Sequence, residues 1–239
     1  MARYAHAQWR GSLPATNYSH FPLGKVRLLV AHVMSGTLSG TDGWFHNPKA
    51  QVSAHFGVGK DGTVYQWVDT AETAYHCAQW NSVAIGVEHE GQSGEALTPA
   101  QLAASKALFT WLSTLTGAPL VYTEDPNGTG VIGHGKLPEG NLSHPLCPGD
   151  PILAQFKAWL SVHQPPTLYY RKVTIPQIPW LYRLRQALNE KGVTPHQNPR
   201  RGDQYGFLTA NRVIRFKRAH GLPSNATVDG PTWTALEVS

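Results

Sequence analysis

Val26-Arg27-Leu28-Leu29-Val30-Ala31 is a short apolar run that ends at His32, and Val83-Ala84-Ile85-Gly86-Val87-Glu88 is a second run of the same kind. Each reads as a strand buried within a sheet. A further strand near Gly130-Val131-Ile132 ends at Gly133-His134. Between the first two lie Ser53-Ala54-His55-Phe56-Gly57-Val58 and Thr63-Val64-Tyr65-Gln66-Trp67-Val68, joined through Lys60-Asp61-Gly62, which is a hairpin signal. Thr98-Pro99-Ala100-Gln101 reads as a capping box with proline at the first helical position. The helix it opens carries Leu102, Leu108, Phe109, Leu112 and Leu115 at helical spacing, and Gly117 closes it. Pro151 to Trp159 reads as a short helix. Strands, a helix, a strand and a helix predict an α/β fold with a central mixed β-sheet flanked by helices.

Composition narrows the classes. The chain has 239 residues, 41% hydrophobic and 15% charged, which provides for a core and argues against wholesale disorder. The apolar runs are far too short to span a bilayer, so no transmembrane segment is expected. Met1 to His20 lacks the apolar stretch of a secretory signal. Two cysteines exclude a disulfide scaffold, although a single Cys77–Cys147 bridge stays open.

The net charge of +5 is unevenly placed. Residues 1–163 carry 9 Lys and Arg against 11 Asp and Glu, net −2; residues 164–239 carry 11 against 4, net +7. Gln164-Pro165-Pro166, Pro176 and Pro179 lie at this discontinuity and read as a linker. The expected organisation is a domain over 1–163, a linker over 164–176 and a second domain over 177–239. The second is a small three-helix bundle: Trp180, Leu181, Leu184 and Leu188 form one stripe, Thr209 caps a second helix with Val213, Ile214 and Phe216, and Asp229-Gly230-Pro231 starts a third. A basic module attracts nucleic acid, anionic membranes or acidic wall polymers, or is simply a solvated surface. Arg212, Arg215, Lys217 and Arg218 spread around their helix instead of lining one face, so a helix-turn-helix DNA reader is disfavoured and no nucleic-acid partner is expected.

Twelve histidines are many for this length. His32 and His134 end strands, and Cys147 lies in the turn Pro145-Leu146-Cys147-Pro148-Gly149. Two imidazoles and a thiolate suit zinc, with a fourth position left for water. The spacing itself matches no short metal signature, and a strand-end histidine is more often structural. Glu88 lies among apolar and small residues, where desolvation raises a carboxyl pKa toward neutrality and suits proton transfer. Glu90 is a rival on the same face, and a surface glutamate is the plain alternative. His55, His76 and His144 are further candidates for structural or supporting positions.

Leu28 to His32, Ser53-Ala54-His55-Phe56 with Lys60 to Gln66, Ala74-Tyr75-His76, Ile85-Gly86-Val87-Glu88, Gly133-His134 and Cys147-Pro148-Gly149 fall in the order seen in type 2 N-acetylmuramoyl-L-alanine amidases. The chain resembles this zinc amidase family, which includes peptidoglycan recognition proteins and phage lysozyme-type amidases, over roughly residues 20–160. The resemblance implies zinc held by His32, His134 and Cys147, and cleavage of the amide between the lactyl group of N-acetylmuramic acid and the L-alanine of the stem peptide. Many relatives have a catalytic tyrosine where this chain has Ala54; the branch without it has a glutamate after Ile-Gly-Val, which implies Glu88 as general base. Many also carry a lysine where this chain has Pro145, and His144 is the expected substitute for stabilising the oxyanion. The tail resembles a small peptidoglycan-binding domain, with Asp203-Gln204-Tyr205-Gly206 as a diverged form of its loop. A monomeric bacteriolytic endolysin, made in a host cytoplasm and acting on wall peptidoglycan, is therefore expected. A binding protein that does not cut, or a zinc peptidase acting within the stem peptide, are the alternatives.

Overall fold

The computed structural model describes residues 2–161, 168–172, 178–199 and 204–237. The chain separates into two compact units, Met1–His163 and Gln164–Ser239. The prolines Pro165, Pro166 and Pro176 of the expected linker, and Asp203, lie outside the described residues.

The first unit runs β1 (Ala7–Trp9), β2 (Tyr18–Pro22), β3 (Leu28–Val33), α1 (Leu38–Phe45), β4 (Phe56–Val58), β5 (Val64–Gln66), β6 (Glu72–Ala74), β7 (Ala84–His89), α2 (Pro99–Thr116), β8 (Gly130–Gly133), α3 (Pro138–Ser143) and α4 (Asp150–Ser161). Among the described residues the central sheet has the order β1-β5-β4-β7-β3-β8, and β2 pairs with β6 separately. Only the β4–β5 hairpin is antiparallel within the central sheet; its other neighbours are parallel. The sheet is therefore mixed, as expected. β3 is buried at all six positions, which is why it reads as a continuous apolar run instead of an alternating one.

Alternation still sorts the side chains of the central strands between two faces. Leu29, Ala31, Val33, Ile85 and Val87 join Leu108, Phe109 and Leu112 of α2 and Ile152, Phe156 and Leu160 of α4 in one core cluster. Leu28, Val30, Ala84 and Ile132 belong to a different cluster, with Cys77 and Leu137. His32, Gly86 and Glu88 share the period of this second set, so they emerge on the face that α2 and α4 leave uncovered.

Thr98 caps α2 by accepting from Gln101 N, Pro99 follows it, and Gly117 closes the helix in the left-handed conformation. The reciprocal half of a capping box is absent. The Gln101 amide instead donates to Val58 O and Glu90 O, tying the start of α2 to the ends of β4 and β7. Leu115, placed in the apolar stripe by spacing, is exposed at the last turn.

The second unit contains α5 (Ile178–Glu190), α6 (Phe207–Ala219) and α7 (Gly230–Glu237). Leu181, Leu184, Leu188, Val213, Phe216, Trp233 and Leu236 form its core with Tyr205 and Leu168. α6 begins two residues before Thr209, with Gly206 as its N-cap. Thr209 does not cap; it is buried, accepts from Arg185 Nε and donates to Gln197 Oε1. Asp229 does cap α7, accepting from Thr232 N.

Part of the basic excess in this unit is internal. Arg212 and Lys217 are 1% and 0% exposed. Arg212 donates to Val193 O, Gln197 Oε1 and Asn189 Oδ1, and Lys217 to Asn225 Oδ1 and Thr227 O. These cations tie loops to α6 and are not available to a polyanion. Arg212→Ala should therefore orphan buried acceptors and lower the stability of the second unit by about 1–3 kcal/mol, read as an earlier unfolding transition in urea. An unchanged midpoint would show that the arginine is dispensable to packing.

Candidate metal centre and its cleft

In-register pairing assembles the site. Within the parallel sheet His32 is the Cα partner of Glu88, and Ala31 that of Gly133, so His134 follows directly beyond β8. Three neighbouring strands thus deliver His32, Glu88 and His134 to one end of the sheet, their carboxyl ends, where open α/β sheets place ligands. Cys147 comes from the loop between α3 and α4. Gly135 N donates to Cys147 O at 2.6 Å, and a Cβ on Gly135 would stand 2.6 Å from Pro145 O, so this close approach of two backbones requires glycine.

His32, His134 and Cys147 each offer a donor atom, and the three donors lie within 4.8 Å of one another. His32 Nδ1 is 3.9 Å from Cys147 Sγ and 3.9 Å from Glu88 Oε1. Val33 N donates to Cys147 Sγ at 3.4 Å, which favours a thiolate there. Both cysteines are free thiols, which overturns the Cys77–Cys147 bridge: Cys147 faces His32 and Cys77 faces His76 Nε2, 3.8 Å away.

Electrostatics suit a cation. Burial, then neighbouring histidines, hold His32 well below the ordinary imidazole range, and burial with His144 lowers His134 to about 4. Both rings are thus neutral, with lone pairs to give. Burial and then Glu88 raise the Cys147 thiol to about 12, and burial raises Glu88 to about 8. Glu88 Oε2 is buried with no hydrogen-bond partner in the described structure. An orphan carboxylate oxygen beside two neutral imidazoles and a thiol is a donor set that lacks its positive charge. The residues therefore fit a zinc ion, which takes nitrogen and sulfur ligands in tetrahedral array.

These groups form the floor of an open cleft of about 770 Å³. Thr37, Thr41 and Trp44, on and just before α1, line one side, and Glu139, Ser143 and His144 line the other. His144 is exposed and stacks on His134, with ring centroids 5.3 Å apart. Ser143 Oγ donates to Glu139 O, so His144 Nδ1 donates to Ser143 Oγ at 2.7 Å and its Nε2 is left toward the cleft. Glu90 is not a cleft residue: its carboxylate accepts from Lys60 N. His55 is buried between backbone groups, accepting from Gly86 N and donating to Glu72 O. Sequence reasoning missed the α1 wall and Glu139. α1 contains Gly40 and Gly43 and shows little apolar periodicity, and nothing in the pattern near Glu139 sets it apart.

The family profile for N-acetylmuramoyl-L-alanine amidases (Amidase_2) matches residues 22–150. The chain belongs to this family. Over 94 residues it is 35% identical to N-acetylmuramoyl-L-alanine amidase A of Achromobacter lyticus, a match covering 39% of this chain and 52% of the relative; the chain thus spans about half the length of that protein. Among solved structures, a selenomethionine derivative of AmpD aligns with a TM-score of 0.50 at 24% identity, covering 65% of this chain and 95% of AmpD. A PlyL variant aligns with a TM-score of 0.50 at 16% identity, covering 65% and 96%. At these identities the likeness is one of fold: both structures share the mixed sheet with flanking helices.

The raised pKa of Glu88 has a consequence for the metal-free protein. A buried acid shifted from 4.5 to about 8 favours the fold while protonated, and that contribution is lost as pH rises from about 4.5 through about 8. Glu88→Gln removes the ionisation. Metal-free Glu88→Gln should match wild type near pH 4.5 and become the more stable of the two by pH 8.5, measured by denaturant midpoints across pH. A constant difference would place the carboxylate in a solvated setting.

Proposed function

We propose that this chain is a zinc-dependent hydrolase of the amide between the lactyl group of N-acetylmuramic acid and L-alanine in peptidoglycan. The observation that carries the proposal is the row His32, Glu88 and His134 at adjacent strand ends, with Cys147 closing the group. Zinc bound to His32, His134 and Cys147 would supply Lewis acidity to the scissile carbonyl and to the attacking water. Glu88, with Oε2 free, takes the proton of that water and passes it to the leaving amine. His144 stands over His134 at the open side. With Nδ1 engaged by Ser143, it donates to an oxyanion through Nε2 only when its ring is protonated. Ala54 is fully buried, so the position of the family's usual tyrosine offers no rival base.

The second unit serves, in this reading, to hold the enzyme on the wall, which raises the local concentration of substrate bonds. The internal use of Arg212 and Lys217 weighs against nucleic-acid binding, and the resemblance of the tail to a peptidoglycan-binding domain supports wall binding. Among the described residues no helix is long and apolar enough to cross a membrane. Together these features support an endolysin-type wall hydrolase.

Digestion of purified peptidoglycan, followed by mass spectrometry, tests the reaction. The expected products carry a new L-alanine amino terminus on the peptide and an intact lactyl carboxylate on the glycan, and chelator abolishes their release. Cleavage inside the stem peptide would make the protein a peptidase, and no cleavage would make it a binder. Glu88→Gln should retain zinc and lose about 10²–10⁴-fold in turnover. Full turnover by that variant would move the base elsewhere.

A further inference from the structure

His32 offers its two ring nitrogens to different neighbours. Nδ1 faces Cys147 Sγ and Glu88 Oε1. Nε2 lies 3.1 Å from His76 Nδ1. We propose that His76 is a positioning residue for metal capture: its Nδ1 accepts the Nε2–H of His32 and so keeps the Nδ1 lone pair of His32 bare and aimed into the cluster. This inference rests on the metal-binding reading of the site.

The direction of that hydrogen bond follows from the metal-binding reading. A neutral imidazole has one N–H. With Nδ1 of His32 facing Cys147 Sγ and keeping its lone pair for a metal, the proton of His32 sits on Nε2, and Nδ1 of His76 must accept it. The other ring nitrogen of His76, Nε2, lies 3.8 Å from Cys77 Sγ, away from His32. A ligating histidine oriented through its second nitrogen is the usual arrangement around bound metals. Here the orienting group is a second imidazole where a carboxylate or carbonyl is commoner.

The His76 ring is itself held from several sides. Asn81 Oδ1 accepts from His76 N at 3.0 Å and from Cys77 N at 2.7 Å, which fixes the backbone that carries the ring. The ring lies on Gly86 of β7, where a Cβ would stand 2.6 Å from His76 Cγ and 2.7 Å from Nδ1. The glycine in Ile85-Gly86-Val87-Glu88 therefore makes room for this imidazole. His55 anchors Gly86 N from below and makes an edge contact with His76 at 5.7 Å between ring centroids. Backbone, floor and neighbour together leave the ring one position, with its acceptor turned to His32.

Ring-nitrogen NMR of the metal-free wild type, and zinc affinity by competition with a chromogenic chelator, test the proposal. His76→Phe keeps a planar ring over Gly86 but removes the acceptor; His76→Asn places Oδ1 near the position of Nδ1. We expect the proton of His32 on Nε2 in wild type. We expect zinc to bind about 10–100-fold more weakly to His76→Phe, with most of that loss restored in His76→Asn and metal-free melting similar in all three. A His32 proton on Nδ1 in wild type, or equal zinc affinity in wild type and His76→Phe, would overturn the role. Should the phenylalanine variant fail to fold, the wild-type tautomer and the affinity of His76→Asn decide, a collapse of affinity in the asparagine variant counting against it. Wild type that binds no zinc would overturn the metal reading and this role with it; wild type that binds zinc beside an unaffected variant overturns this role alone.

Discussion

Side chains alternate along a strand, so residues in register at the ends of neighbouring parallel strands emerge side by side on the same face. β3 lies between β7 and β8, and its pairing sets His32 beside Glu88 and leads β8 directly into His134. A slip of one residue in either pair would turn a polar group into the core under α2 and α4. The aliphatic side chains of Leu29, Ala31, Val33, Ile85 and Val87 prevent that slip, because they fill one continuous cluster with those two helices. The chemistry on one face is thus held by the packing on the other. His89 makes the link physical: it is fully buried beneath the site, bonded to His32 O and to Ser105 of α2.

The same logic separates the histidines. Those with both ring nitrogens committed to neighbouring groups, His55 and His89, are structural pins. His32 and His134 are neutral and open toward Cys147. Charge burial follows a similar division in the second unit, where Arg212 and Lys217 spend their donors on the backbone and amides of their own loops. A basic sequence there is partly an internal bonding scheme and only partly a surface.

Much of the site was legible in the sequence because its residues lie at the ends of recognisable apolar runs. His32, Glu88 and His134 each close such a run, and the rigid Pro145–Gly149 turn marks Cys147. The hairpin at Lys60–Gly62 and the start of α2 at Thr98 carry local turn and cap chemistry, which acts over a few residues and is readable for that reason. What was not legible depends on long-range contacts. Gln101 looked like a capping-box partner, yet two carbonyls at distant strand ends claim its amide. Thr209 looked like a cap, but a buried arginine from another helix holds it inside α6. The α1 wall of the cleft has no strong period of its own and exists because Leu38 and Phe45 pack with Trp67 and Val68. The role of Gly86 was hidden because a glycine in a strand does not announce which ring will lie on it.

The central proposal is a zinc ion held by the nitrogen atoms of His32 and His134 and the sulfur of Cys147. X-ray absorption at the zinc edge of the purified, zinc-loaded chain measures that directly. The expected spectrum has two nitrogen neighbours at about 2.0–2.1 Å, one sulfur at about 2.3 Å and one further light atom. A zinc environment of light atoms alone, with no sulfur shell, would contradict it.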